Sequence, residues 1–358
     1  MPANFSPCSC ASNPPPAILR LLATAPILIA YDARAADLPV VRWQGRTMGS
    51  PYTVQLVGQS LSNSQGEQLQ AEVEDRLQEI NRQMSHYLPQ SELSQFNRAA
   101  AGTPFKVSPE FAHVIRFALD LAQRSQGAFD PTLGSVINLW GFGEKTDQGA
   151  VPLAADLLAA MRTSGWKNLA ISAGDELTKD ISALRLNLSA VAKGFGADEI
   201  GRLLTARGFT NWYAAIAGEV VVAGHNPRGS LWRVGISAPT ENWREGDPMA
   251  VAVQLSNQAI STSGDYQKFF LAPDGRRLSH ILDPRTGWPV QNDVAGVSVV
   301  APDAMTADGL ATTLFVLGPA AGLKFVAAWT NVAALFLIRT PDGRFKQIAT
   351  PNFPRSQD

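Results

Sequence analysis

Apolar residues in this chain switch between helical spacing and strand alternation in blocks of uneven length and order, and that unevenness limits the fold more than any single motif. Tyr52, Val54 and Leu56 alternate as a strand does. Leu69, Val73, Leu77, Ile80 and Met84 recur every three or four residues, which predicts an amphipathic helix ending before Pro89. A second helix is predicted from Ser108 as N-cap and Pro109 in its first position, through Phe111, Ile115, Leu119 and Ala122, to a stop at Gly127. Residues 127–143 are rich in glycine and aromatic side chains without a clean period and read as loop. Helical signals also cover 153–162, 190–207, 304–317 and 319–329. Strand signals cover 212–223, 232–237, 250–255, 258–262, 279–282, 294–301 and 332–338. A doubly wound sheet needs a regular βαβ rhythm, so these blocks predict an α+β fold instead.

The 358 residues allow two ordinary domains or one large α+β unit. With 30 Lys+Arg against 31 Asp+Glu the formal charge is −1, which excludes a protein that grips nucleic acid or anionic membrane by bulk charge. At 45% hydrophobic and 17% charged residues the chain can bury a sizeable core, which excludes wholesale disorder.

The amino terminus reads as a targeting segment. Residues 17–31 are apolar except for Arg20 and Pro26, too few to span a bilayer comfortably but enough for a secretory core. Ala33-Arg34-Ala35 then offers a small-x-small cleavage site, so residues 1–36 are expected to be a signal peptide with an N-terminal extension, and 37–358 the mature unit. The extension has no basic residue, which is atypical, and the bland alternative is an anchoring or buried helix. Cleavage would remove Cys8 and Cys10, leaving a cysteine-free, unanchored protein exported to the bacterial periplasm or the outer face of the cytoplasmic membrane. Two cysteines and four scattered histidines supply no structural zinc spacing.

Common nucleotide and hydrolase signatures are absent: no GxxxxGK[ST] loop, no GxSxG elbow, no HExxH helix, and Gly194-Phe195-Gly196 lacks the third glycine of a dinucleotide fingerprint. Asp308 and Thr312 stand four apart, so on a helix a carboxylate and a hydroxyl share one face and can meet one hard cation. Two oxygens do not complete a Mg²⁺ site; a main-chain carbonyl, water and substrate phosphates would supply the rest. Read alone, the pair is equally a solvated Asp and a back-bonding Thr. His280 precedes a Pro- and Gly-built turn and is either a general base or a structural histidine. Lys193 opens a helix, where it meets an anion or simply water. Ser261-Thr262-Ser263-Gly264-Asp265 reads as a phosphate-contacting turn or merely a polar one.

Order adds what single motifs lack. Thr47-Met48-Gly49, Met84-Ser85-His86-Tyr87 with Ser91-Glu92-Leu93-Ser94, Gly127-Ala128-Phe129-Asp130-Pro131-Thr132, Leu188-Ser189-Ala190-Val191-Ala192-Lys193-Gly194, Ala217-Gly218-Glu219, Ser261-Thr262-Ser263-Gly264-Asp265-Tyr266, His280-Ile281-Leu282-Asp283-Pro284-Arg285-Thr286-Gly287 and Ala307-Asp308 follow one another along the chain. In this series the sequence resembles the ApbE family of exported FAD:protein FMN transferases, over about residues 43–340. The resemblance implies a single T-fold-like catalytic unit of mixed sheets and packed helices, with an FAD cleft between two lobes. It also implies Mg²⁺-dependent transfer of FMN from FAD, as substrate, to a Thr or Ser hydroxyl of an acceptor protein, with release of AMP. Carried over by position, Asp308, Thr312 and the Ala190 carbonyl would hold the metal and His280 would be the base. Met48, Tyr87, Ala128, Phe129, Asp130, Asn187, Lys193 and Leu282 would line the FAD site, with Tyr87 and Phe129 as ring surfaces. The implied acceptor is a subunit of a membrane electron-transport complex or an exported reductase.

Two positions depart from the family pattern. Asn187 stands where many relatives have Asp, which keeps a hydrogen-bonding carbonyl but loses a charge at a ligand contact, and Ala311 where some carry an acidic residue near the metal, so with fewer carboxylates Mg²⁺ binding should weaken and lean on substrate phosphates. Two other readings compete: a Mg²⁺-dependent FAD pyrophosphatase giving FMN and AMP, and a non-catalytic FAD carrier, in which His280 or the metal pair should be missing.

Overall fold

The computed structural model describes residues 37–144, 150–240, 249–266 and 268–354. The expected leader, its cleavage site and both cysteines lie outside the described residues. The elements run, in chain order, β1 (Val40–Thr47), β2 (Ser50–Val57), α1 (Asn63–Met84), α2 (Glu92–Arg98), β3 (Phe105–Lys106), α3 (Pro109–Arg124), α4 (Gly134–Leu139) and α5 (Ala154–Arg162). There follow β4 (Leu169–Ile171), β5 (Glu176–Lys179), α6 (Ala192–Ala206), β6 (Trp212–Ile216), β7 (Glu219–Ala223), β8 (Trp232–Ser237) and β9 (Met249–Leu255). The last are β10 (Gln258–Gly264), β11 (Phe269–Leu271), β12 (Arg277–Ser279), β13 (Val294–Ala301), α7 (Ala304–Val326), β14 (Ala333–Arg339) and β15 (Phe345–Ala349).

An eight-stranded sheet in the order β1-β2-β6-β7-β10-β13-β14-β15 forms the centre, antiparallel at every pairing, so the expected α+β class holds. Its side chains alternate between two cores. Val54, Leu56, Ile216, Val297 and Phe336 face α1, α3, α6 and α7, whereas Tyr213, Val220, Ile260 and Leu335 face the β8–β9 hairpin. Burial on both faces explains why β13 is apolar but for Ser298, whose hydroxyl lies 2.7 Å from that of Thr262, rather than alternating. A third, smaller cluster joins α4 and α5 to the β11–β12 hairpin through Trp140, Leu157, Leu278 and Leu282.

Several elements differ from the sequence reading, each for a local reason. Residues 212–223 form two strands, because Ala217 takes a left-handed backbone (φ 53°) in the two-residue turn between the paired Ile216 and Glu219. Residues 127–143 contain α4, one short helix packed by Val136. The strand expected over 279–282 ends at Ser279, which leaves His280 just past the ladder. The helical signals over 304–317 and 319–329 are two pieces of α7, broken where Gly318 turns to φ 70° before Pro319. At 23 residues α7 is long and apolar enough to cross a membrane, yet it is the core helix lying over β10 and β13.

The junction of α6 and α7 positions everything that follows. A Cβ on Gly194 would stand 2.3 Å from the Ala304 carbonyl oxygen, so only glycine permits this approach. Asp198 of α6 accepts from the Ala304 and Met305 amides at 2.7 and 2.9 Å, and Asp303 accepts from the Thr306 amide at 2.8 Å. Two carboxylates thus satisfy donors that a helix start leaves free. Gly194→Ala, which must push backbone rather than a flexible side chain, is expected to cost about 2–3 kcal/mol. Gly66→Ala, inside α1 with nothing within 4 Å of the new methyl, should instead gain about 0.5–1 kcal/mol. Urea denaturation of the two variants checks the contrast.

Candidate active site

Turn chemistry brings the first site residues together. Thr47 and Ser50 pair across a two-residue turn in which Met48 (φ 49°) and Gly49 (φ 70°) are both left-handed, the geometry that suits a right-twisted hairpin. Gly196 of α6 leaves room for the Met48 methyl, which would stand 3.1 Å from a Cβ there. Beside this hairpin the Ala217 amide donates to the Pro51 carbonyl at 2.9 Å, which fixes the start of β7 and its Glu219.

Glu219 meets Lys193, in the first turn of α6, at 2.6 Å between Oε1 and Nζ. Asp308, only 3% exposed in α7, accepts the Gly194 amide at 3.1 Å through Oδ2. Burial pushes the Lys193 ammonium down, but the Glu219 and Asp308 carboxylates outweigh it and hold the ammonium above its ordinary range. Burial pushes the Asp308 carboxyl up, the Lys193 charge opposes that, and the Glu219 charge adds to it. One α7 turn further on, Thr312 Oγ1 lies 3.1 Å from Ser263 Oγ at the end of β10. Ala190 sits in the turn just before α6.

These donors fit a hard divalent cation. All are oxygens, and Glu219 Oε2 is buried with no hydrogen-bond partner among the described residues. Among the described residues no three His, Cys, Asp or Glu side chains gather to make a soft or carboxylate-only site. A cation at Asp308 and Thr312 would therefore complete its shell from main chain, water and phosphate, as Mg²⁺ commonly does.

His280 approaches from the β11–β12 hairpin. The Lys268 carbonyl accepts from the His280 amide at 3.0 Å and lies 3.1 Å from Nδ1. A carbonyl only accepts, so Nδ1 carries the proton and Nε2 is left basic. Phe142 presents its ring nearly edge-on, with centroids 6.3 Å apart at 68°. Burial and then the Lys268 charge push the imidazole down to about 4; the carbonyl bond resists and Lys193 adds to the shift. His86 is pushed down to about 4 as well, by burial and by Lys268, and its Nε2 is buried without a partner among the described residues.

The remaining sequence candidates divide by exposure. Tyr87 is 55% exposed and offers an open ring. Ala128 and Phe129 instead turn into the main core; at 5% exposure Phe129 has no open face for stacking, because its segment is drawn inward by a carboxylate. That carboxylate is Asp130, whose Oδ1 accepts from the Thr132 amide and hydroxyl (2.8 and 2.6 Å) and whose Oδ2 accepts from the Trp166 amide at 3.0 Å. Burial raises it, and these three bonds oppose the rise. Asn187 closes a local turn by accepting the Ser189 amide at 3.0 Å, and its own amide donates to Pro131. Leu282 bridges Pro289 within the smaller core. Sequence reasoning gave no individual role to Glu219, Lys268 or His86, and read Ser263 only as part of a polar or phosphate-contacting turn. All but Lys268 lay in the ordered motifs, but only folding supplies their partners.

Two histidines that stay neutral when folded make stability depend on pH. Below 6.5 the unfolded chain binds protons that the folded chain refuses until about 4, so their contribution is full above pH 6.5 and is lost as pH falls towards 4. His86→Gln removes one such group. Its melting temperature should therefore drop less than wild type between about pH 7 and about pH 5, and identical drops in thermal unfolding would contradict a neutral buried His86.

Residues 48–336 match the sequence model of the ApbE family. An FAD:protein FMN transferase of Vibrio cholerae is 38% identical over 313 residues, covering 87% of this chain and 91% of that protein. One from Haemophilus influenzae is 35% identical over 311 residues, covering 86% and 89%. Among solved structures, the flavin transferase ApbE from Vibrio cholerae aligns with a TM-score of 0.80 at 38% identity, over 88% of this chain and 98% of that one. The apo form of the Pseudomonas stutzeri flavinyl transferase ApbE gives 0.77 at 36%, over 88% and 96%. With its family match spanning most of its length and these relatives covered almost end to end, the chain belongs to the ApbE family.

Proposed function

We propose that this protein is an FAD:protein FMN transferase. The observations that carry the reading are the Lys193–Glu219 ion pair at 2.6 Å beside the buried Asp308, and a His280 ring held at Nδ1 by the Lys268 carbonyl at 3.1 Å. His280 Nε2 takes the proton of an acceptor Thr or Ser hydroxyl, whose oxygen attacks the FMN phosphorus of FAD. The new P–O bond forms as the bond to the AMP phosphate breaks, and AMP leaves with that electron pair. Lys193, held charged, stands ready for the charge that builds on the phosphate oxygens. Asp308, Thr312 and the Ala190 carbonyl would hold a Mg²⁺ ion, which would supply further positive charge to those oxygens. Tyr87 gives an exposed aromatic surface for one ring system of FAD.

The acceptor in this reading is a protein with an accessible Thr or Ser, from a membrane electron-transport complex or an exported reductase. The apolar run 17–31 and Ala33-Arg34-Ala35 support action in the periplasm after cleavage. The same base can also deprotonate water, which would make the protein an FAD pyrophosphatase. Incubation with FAD and Mg²⁺ alone separates the two, since steady release of FMN and AMP without acceptor favours hydrolysis.

His280→Ala is expected to lower transfer by roughly 10²–10⁴-fold while FAD still binds. Mass spectrometry of the acceptor reads this directly as loss of one FMN adduct, and undiminished transfer would remove His280 from the chemistry. Asp308→Asn should raise the Mg²⁺ concentration needed for half-maximal FAD turnover by about tenfold or more. An unchanged Mg²⁺ requirement would detach Asp308 from the metal.

A further inference from the structure

Lys179, the last residue of β5, is only 1% exposed, and no carboxylate pairs with it among the described residues. An ammonium has three hydrogens, and three main-chain carbonyls take them: Asn97 at 3.0 Å, Ser182 at 3.1 Å and Leu184 at 3.1 Å. The same nitrogen lies over the Phe96 ring, 5.2 Å from its centroid. Half-buried Arg185 reaches these carbonyls too, its Nη1 donating to Asn97 and, at 3.1 and 3.3 Å, to Ser182 and Leu184. Burial, then the Arg185 charge, push the Lys179 ammonium down to about 8, so at neutral pH its third hydrogen is still in place.

A buried cation without a counterion is costly, and the geometry shows what this one does. Asn97 belongs to the last turn of α2, whose carbonyls lack helical partners, whereas Ser182 and Leu184 belong to the turn that leaves β5. The ammonium joins the two segments at one point. From there the chain runs straight to the metal side of the site. The Asn97 carboxamide pairs with Leu186 twice, Nδ2 donating to its carbonyl at 3.0 Å and Oδ1 accepting its amide at 2.7 Å. The Asn187 amide then donates to the Pro131 carbonyl at 2.8 Å, and the Leu188 carbonyl accepts from the Val191 and Ala192 amides at 3.0 and 2.8 Å. Ala190 is therefore carried on a short turn anchored by Leu186 behind it and by α6 ahead of it. Helix α6 has its own hold on α7 through Gly194 and Asp198. The anchor at Leu186 depends on α2 and Lys179.

We propose that Lys179 is a positioning residue for the metal: by joining the end of α2 to the 182–184 turn, it sets where residues 187–190 present the Ala190 carbonyl. The idea rests on Ala190 being a metal ligand. Because α6 and Lys193 are held separately, it predicts a changed Mg²⁺ requirement and not a changed maximal rate.

Lys179→Met keeps the length of the side chain and removes its three donors. Hydrogen exchange of the whole protein, without FAD or metal, should then show residues 186–192 exchanging about tenfold faster, with α1 and α3 unchanged. In FAD turnover the half-saturating Mg²⁺ concentration should rise by roughly tenfold, while the rate at saturating Mg²⁺ stays within about twofold. Lys179→Ala keeps the question open to measurement should the Met variant fold poorly, because n-propylammonium replaces the atoms it removes. That cation should restore both slow exchange and the wild-type Mg²⁺ requirement, and neutral n-propanol should restore neither. Equal rescue by n-propanol overturns the role of the ammonium. Unchanged exchange in folded Lys179→Met overturns the joint, and an unchanged Mg²⁺ requirement overturns the positioning role even where exchange is faster. Asp308→Asn separates this from the metal reading: a shifted requirement there with none in Lys179→Met sinks the proposal alone, whereas no shift in Asp308→Asn sinks the metal reading as well.

Discussion

The close approach of α6 to α7 is the contact on which the site depends. Gly194 lets the Ala304 carbonyl come in where any side chain would block it, and Asp198 then binds the first two amides of α7. Burial pushes the Asp198 carboxyl up to about 7, against those two bonds, so ionising it there carries a cost. Amide bonds to a charged acceptor return about 1.5–3 kcal/mol each, which makes the junction favourable while the carboxylate is ionised. Once it is set, the register of α7 is set too. Asp308 falls opposite the Gly194 amide, and Thr312 falls opposite Ser263 at the end of β10. Helix packing, and not a loop, therefore holds the oxygen donors against the sheet, and rigid elements hold a site more accurately than loops do.

This arrangement explains how a chain of net charge −1 can handle an anionic dinucleotide. The positive charge is local and graded. Lys193 is anchored by Glu219 and Asp308, so it stays charged despite its burial, and the orphaned Glu219 Oε2 leaves residual negative charge for a cation. Lys268 stands at the His280 edge without a counterion among the described residues. A basic surface would attract any polyanion, whereas in the proposed reading a few placed ammonium groups and one bound cation would answer to a pyrophosphate in one position.

Long, strongly periodic elements were legible in the sequence. The apolar rows of α1 and α3, the Ser108-Pro109 start and the Gly318-Pro319 break all carried local signals strong enough to survive tertiary context. Weak or edge elements were not legible. β1 alternates between exposed and half-buried positions and buries only Thr47, while β3, β4 and β5 are too short for a period to register. The β6–β7 turn escaped because Ala217, rather than Gly or Asn, takes the left-handed position. The same division holds in the site. Asp308, Thr312, Lys193 and His280 lay in ordered motifs, but Glu219 acquires meaning only beside Lys193, and Lys268 only beside His280. Phe129 and Asp130 show the opposite limit, since their motif suggested ligand contact and gave no sign of the structural work their side chains do, in the core and on Thr132 and Trp166.

The way His280 is held also bears on how the barrier is lowered. A carboxylate partner would orient the ring and at the same time favour its protonated form; the Lys268 carbonyl orients it while adding no charge. With Lys268 and Lys193 both disfavouring the imidazolium, the base sits near 4 and is always available at neutral pH, but it is weak. A base that weak cannot strip a hydroxyl in advance of bond formation. In the proposed transfer the proton moves late, as the forming P–O bond makes the hydroxyl acidic. The rest of the barrier then falls to charge stabilisation of the phosphate oxygens, the role proposed for Lys193 and for a cation at Asp308 and Thr312.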